Sequence, residues 1–98
     1  LKQQMQDVNE RLQAARFTGE AGGGQVRVVV DGRGEIVSLK FDPATVQAGD
    51  LELLEDLTIA AVRAAVNASR DALQKEMQTL TGGLNLPGME KFFGGVSP

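Results

Sequence analysis

Histidine and cysteine are both missing from this chain of 98 residues. Without histidine, the commonest general base and the commonest transition-metal ligand are gone. Without cysteine there is no disulfide, no thiolate nucleophile and no Cys-based metal site, a pattern that suits the cytoplasm. Tryptophan and tyrosine are absent as well, leaving Phe17, Phe41, Phe92 and Phe93 as the aromatic residues. Large rings therefore cannot anchor a core. Alanine, valine and leucine must fill it by close backbone approach over long surfaces, which favours an obligate oligomer over a free monomer of this size. No run of about 18 apolar residues occurs, so no membrane span is expected. No signal peptide is visible, and the chain opens at Leu1 already inside a helical pattern. The expectation is that a mobile N-terminal segment has been trimmed or lost.

Charge is short on the positive side: ten Lys and Arg stand against thirteen Asp and Glu, a net charge of −3. Nucleic-acid binders usually present a basic surface. A net acidic chain still attracts a polyanion when its cations cluster, because phosphates respond to local potential. The placement of the cations therefore decides the matter.

The pattern along the chain predicts one domain over residues 1–81, followed by a Gly/Pro-containing tail over 82–98. Residues 1–16 read as a helix, with Leu1, Met5, Val8, Leu12 and Ala15 forming one narrow apolar stripe of coiled-coil type. Phe17–Ala21 reads as a short strand that breaks at Gly22, Gly23 and Gly24. Triple glycine can form a phosphate loop, but no Gly-Lys-Ser/Thr and no helix follow it, so the turn reading prevails.

Two β-branched runs flank Asp31-Gly32 and predict an antiparallel hairpin. The Val37, Leu39 and Phe41 face is expected to be buried, because the other face carries Lys40. Asp42-Pro43 signals a short helical turn that Gly49 interrupts, and Asp50 is placed to cap a helix running to about Leu80. Such a helix is roughly 45 Å long, more than a domain of this size needs. It must project or pair with a second chain. Its small side, Ala61, Ala64, Ala65, Ala68 and Ala72, admits a sheet or helix at close range. The stripe then narrows to Leu73, Met77 and Leu80, and is expected to meet the first helix as a short antiparallel arm.

Opposite the alanines, Arg63, Asn67, Arg70, Gln74 and Gln78 fall within about 80° on the helix, with Lys75 nearby. This is the pattern of a solvated helix face. It is also one in which cations touch phosphates while amides reach phosphates or base edges. Lys2, Asn9 and Arg16 are heptad-spaced on the first helix and admit the same two readings. Arg27, Arg33 and Lys40 on the hairpin read as edge protection. Glu52, Glu55 and Asp56 read as acids complementing the positive end of a helix, since nothing nearby completes a metal or acid/base site.

In this order, the glycine break, the hairpin ending in FDP, the segment LEDLTIAAVRAAVNASRDA and the closing LTGGLNLPG resemble the YbaB/EbfC nucleoid-associated DNA-binding proteins. The resemblance covers nearly the whole chain. It implies an α+β fold of α-β-β-β-α order, with a three-stranded antiparallel sheet and a long C-terminal helix. It further implies an intertwined homodimer whose projecting helical arms hold double-stranded DNA, in the cytoplasm at the nucleoid. Transferred as a surface, the family's DNA-contacting arms map onto Lys2, Arg11, Arg16, Arg63, Asn67, Arg70 and Lys75. The resemblance implies no enzyme, cofactor, metal or small-molecule substrate. The alternative is a dimeric protein-binding adaptor that uses the coiled-coil seams and the apolar tail residues Leu86, Met89, Phe92 and Phe93.

Overall fold

Four of the five residues of Val26–Val30 are valine, and β-branched side chains fit a pleated strand far better than a helix. In the computed structural model, which describes residues 1–80, this strand is the centre of a three-stranded sheet. The elements run α1 (Lys2–Ala14), β1 (Phe17–Ala21), β2 (Val26–Val30), β3 (Ile36–Phe41), α2 (Pro43–Gln47) and α3 (Leu51–Leu80). This is the α-β-β-β-α order, with the one-turn helix that Asp42-Pro43 predicts inserted as α2. The tail from residue 82, with Leu86, Met89, Phe92 and Phe93, lies outside the described residues.

Both strand pairs are antiparallel, in the order β1-β2-β3. Gly22, Gly23 and Gly24 take φ values of 64°, 67° and 98°, a path that residues with a Cβ rarely follow, so the triple glycine is a turn. The second connection differs from a two-residue hairpin. It spans residues 31–35, with a bulge opposite Val29 and Val30, and Gly34 (φ 83°) supplies the left-handed residue.

Gly19 pairs with Val28, Val28 with Leu39, and Val26 with Phe41, so these side chains share one sheet face. Helix α3 lies across that face over β1 and β2. Its Ala61 and Ala65 are fully buried with Val26, Val28 and Val30, and Phe17, Ala21, Leu54, Leu57, Val62 and Val66 pack around them. Burying each valine contributes about 2 kcal/mol. Ala64 falls outside this set and is exposed. Asp50 caps α3 by accepting the Leu53 amide proton at 3.0 Å.

The burial expected for Val37, Leu39 and Phe41 is not seen: they are 49%, 45% and 38% exposed, and Ile36 is 59% exposed. They lie on the strand that α3 does not cover. Helix α1 is apolar on the predicted stripe, but burial is uneven along it. Val8 is buried and Leu12 half-buried, whereas Leu1 and Met5 remain in solvent. The helix is therefore seated through its C-terminal half.

Candidate nucleic-acid interface

Of the seven cations and amides expected to meet DNA, three form one ridge. Arg63, Asn67 and Arg70 recur at i, i+4 and i+7 on α3, and all are exposed. They share a shallow open groove with Thr58, Ile59, Val62 and Val66. The ridge is therefore not a purely polar face. It borders an apolar strip in which Ile59 is 56% exposed, and that strip continues to Leu73 and Met77 at 36% and 46%. Together with the uncovered β3 residues, this leaves a large amount of apolar surface open on a short chain.

The other four expected residues separate into two kinds. Lys2 and Lys75 are exposed, with no ion pair among the described residues. Arg11 and Arg16 are exposed but engaged. Arg11 forms an ion pair with Glu76, which places α1 beside the C-terminal part of α3. Arg16 donates to the carbonyls of Gln13 at 2.9 Å and Ala15 at 2.8 Å, satisfying orphan acceptors at the end of α1. An exposed ion pair of this kind contributes little stability and leaves the guanidinium open to a competing anion. Lys2 stands nine residues beyond Arg11, roughly 13 Å along the helix.

Charge is unevenly distributed between the parts. Residues 1–16 and 63–80 carry six cations (Lys2, Arg11, Arg16, Arg63, Arg70, Lys75) against four acids (Asp7, Glu10, Asp71, Glu76). Residues 17–62 carry three cations against eight acids, with Asp42, Asp50, Glu52, Glu55 and Asp56 crowded around α2 and the start of α3. The net negative charge of the chain thus belongs to the sheet and the α2 end. The α1/α3 end is positive.

The hairpin tip sits at the root of that positive end. The buried Asp31 carboxylate accepts the amide protons of Arg33 at 2.8 Å and Glu35 at 3.1 Å, and the Arg33 guanidinium lies 3.5 Å from its second oxygen. Burial pushes this carboxyl up, but the Glu35 and Arg33 amides and the Arg33 charge outweigh it. The group is held below the usual carboxylate range. Elsewhere on the sheet, Arg27 lies on the central strand β2 and pairs with Glu20 of β1 at 2.6 Å, a cross-strand ion pair in place of the edge protection expected of it. Glu52, Glu55 and Asp56 take part in no metal-holding group among the described residues.

A family model described as the YbaB/EbfC DNA-binding family matches residues 1–84. The chain belongs to the YbaB/EbfC family. A nucleoid-associated protein of Clostridium kluyveri is 43% identical over 88 residues, covering 90% of this chain and 77% of its own length. A nucleoid-associated protein of Anaeromyxobacter dehalogenans is 43% identical over 89 residues, covering 91% of this chain and 86% of its own length. The crystal structure of the uncharacterized protein HP0035 from Helicobacter pylori aligns with a TM-score of 0.75 at 23% identity, over 83% of this chain and 85% of that one. That likeness concerns the fold. The family is described by DNA binding, and the Clostridium kluyveri and Anaeromyxobacter dehalogenans relatives are both named for association with the nucleoid. No described helix is long and apolar enough to cross a membrane.

Sequence periodicity locates the ridge on α3 but misses three features of this YbaB/EbfC chain. The Arg11–Glu76 pair joins residues 65 positions apart, which no local pattern encodes. Arg33 reads as edge protection and instead braces a buried carboxylate. The exposure of the apolar strip beside Arg63 and Arg70 likewise follows from no local pattern.

Proposed function

We propose that this YbaB/EbfC member binds duplex DNA as a homodimer, mainly through phosphate contacts from its paired α1/α3 ends, with weak sequence preference. In this reading it organises the nucleoid in the cytoplasm, influences transcription, catalyses no reaction and needs no cofactor. Residues 1–81 act as the single functional domain, with 82–98 appended. The observation that carries the reading is the charge partition. An acidic chain gathers six of its cations on the α1/α3 end, leaving most of its acids on the body. Phosphate contacts need only that local field.

The open apolar surface supports self-association. Ile59, Val62 and Val66 on α3, with Ile36, Leu39 and Phe41 on β3, offer a self-complementary patch. Along α3, acids (Glu52, Asp56) precede the apolar centre and cations (Arg63, Arg70) follow it. Two copies related by a two-fold axis would set the acidic stretch of one against the basic stretch of the other. Arg63 and Asn67 then sit at the boundary between copies. Arg70 closes the groove towards the arm, and Lys2 and Lys75 are the cations freest to reach phosphate. Arg11 and Arg16 reinforce the same field from within the chain.

Duplex binding followed by salt titration tests this. The expected result is affinity that falls steeply and log-linearly with salt, with a slope reporting several released counterions. A flat salt response would remove the phosphate mechanism. Retained binding to a protein partner under those conditions would favour the adaptor reading, for which the same apolar patch is the supporting observation.

A further inference from the structure

The tip of the β2–β3 hairpin is wedged between α1 and α3. On one side, the Gly32 amide donates to the carbonyl of Leu12 at 2.7 Å. Leu12 lies in the last turn of α1, and its carbonyl otherwise accepts the capping Ala15 amide at 3.3 Å, which that amide shares with the Arg11 carbonyl. On the other side, Gly34 faces Ser69 of α3, whose hydroxyl would stand 3.7 Å from a Cβ placed on that glycine. Ser69 is itself buried and donates to the Val66 carbonyl at 2.8 Å.

The two glycines serve different purposes. Gly34 has the left-handed backbone that closes the turn. Gly32 does not; its requirement is space. A Cβ there would lie 2.6 Å from the Leu12 carbonyl oxygen and 2.8 Å from its Cα, both backbone atoms that cannot rotate away. The tip is also stiff. The Asp31 carboxylate ties the Arg33 and Glu35 amides, the Asp31 amide donates to the Glu35 carbonyl at 2.9 Å, and the Gly34 amide donates to the Asp31 carbonyl at 3.1 Å.

We propose that the Asp31–Gly34 tip is the bracket that holds α1 at its working angle beside α3, making Gly32 a positioning residue for the DNA-binding end. The DNA part of this rests on the function proposed above. The bracket grips α1 at its inner end, so the long outer part of the helix, with Lys2 at its far end, follows whatever the tip does. A methyl group at position 32 has to open the Leu12 contact by about 1 Å to reach ordinary van der Waals distance. The buried cluster of β2 valines and α3 alanines does not include this contact. The arm therefore shifts without the core coming apart.

The test is Gly32→Ala in the full chain, read in two ways. Amide hydrogen exchange in α1 should rise by about tenfold while amides of β2 and the centre of α3 keep their protection. Affinity for a duplex oligonucleotide at fixed salt should fall by about tenfold, with the sedimentation behaviour of the protein unchanged. Unaltered α1 exchange would show that the tip is not the anchor. Loosened α1 with unaltered DNA affinity would show that the angle of α1 is irrelevant to binding. Should Gly32→Ala fail to fold, Asp31→Asn loosens the same tip without adding an atom and is read identically. The exchange measurement needs no DNA, so a wild-type protein that ignores duplex DNA would sink the proposed function and leave the bracket to be decided separately.

Discussion

Gly19 of β1 lies so close under Ala61 of α3 that a Cβ on the glycine would overlap the Ala61 carbonyl oxygen and the Ala65 amide nitrogen. Both obstacles are helix backbone. Neither has a rotamer to escape into, so the helix must lift from the sheet to admit even one methyl group. Gly19→Ala should destabilise the fold by about 3 kcal/mol, at the upper end for an overpacked core. Urea denaturation measures this as a lower midpoint at unchanged slope. A loss under about 0.5 kcal/mol would contradict the close approach.

The same contact explains why much of the fold is legible in the sequence. Small residues at Ala61 and Ala65, alternating valines in β2 and a cap at Asp50 are local signals, and each predicts its element. What is not local is not legible. Composition states that β3 carries Val37, Leu39 and Phe41 on an apolar side, but it cannot state that α3 passes over β1 and β2 and stops short of β3. The candidate site behaves alike. The Arg63, Asn67 and Arg70 ridge follows from helical period. The engagement of Arg11 by Glu76 depends on how two distant helices come to rest, and so emerges only in three dimensions.

Ala65 gives a second, more severe core prediction. It is fully buried against the β2 valines. Ala65→Glu places a carboxylate in that cluster unpaired, which costs several kcal/mol even after relaxation. For a domain whose whole stability is of order 5–15 kcal/mol, that is most or all of it. Circular dichroism should show an unfolded or aggregating chain; a well-folded, soluble variant would mean that the core face of α3 is assigned wrongly.

The exposed apolar patch predicts a weak point in the assembly that is separate from the fold. Ile59 and Leu39 are 56% and 45% exposed within one chain, so a charge at either is tolerated there. Between two copies the same charge would be buried. Ile59→Asp and Leu39→Asp should each give monomers by sedimentation while retaining the helical and strand content of the parent. Dimers that persist in both variants would place the contact elsewhere.

Asp31 makes stability depend on acid. Its carboxyl titrates below the ordinary value of about 3.9 in the folded protein, so the folded state favours the ionised form. The contribution is fully present above that ordinary value and is lost as pH falls through the lower, folded-state value. Stability measured between pH 6 and 2 should therefore decline more steeply in the parent than in Asp31→Asn, the two curves converging at the acidic end. Parallel curves would mean that the amides of Arg33 and Glu35 do not favour the charged carboxylate.

Lys2 and Lys75 allow the phosphate reading to be tested without touching the core, the apolar groove or the Arg11–Glu76 pair. Both are exposed, and neither lines the groove. Replacing both by Glu changes four positions in a dimer from attraction to repulsion. Duplex affinity at moderate salt should drop by about tenfold to a hundredfold, and the salt slope should shrink by about one for each phosphate that is no longer neutralised. The melting temperature should stay within a few degrees of the parent, since exposed surface charges contribute little to stability. Arg63→Gln and Asn67→Ala serve as the counterpart. If those two sit between copies, they should alter self-association more than the salt slope. The reverse result, with the ridge controlling the slope and the lysines inert, would move the DNA contact from the arm tips onto the middle of α3.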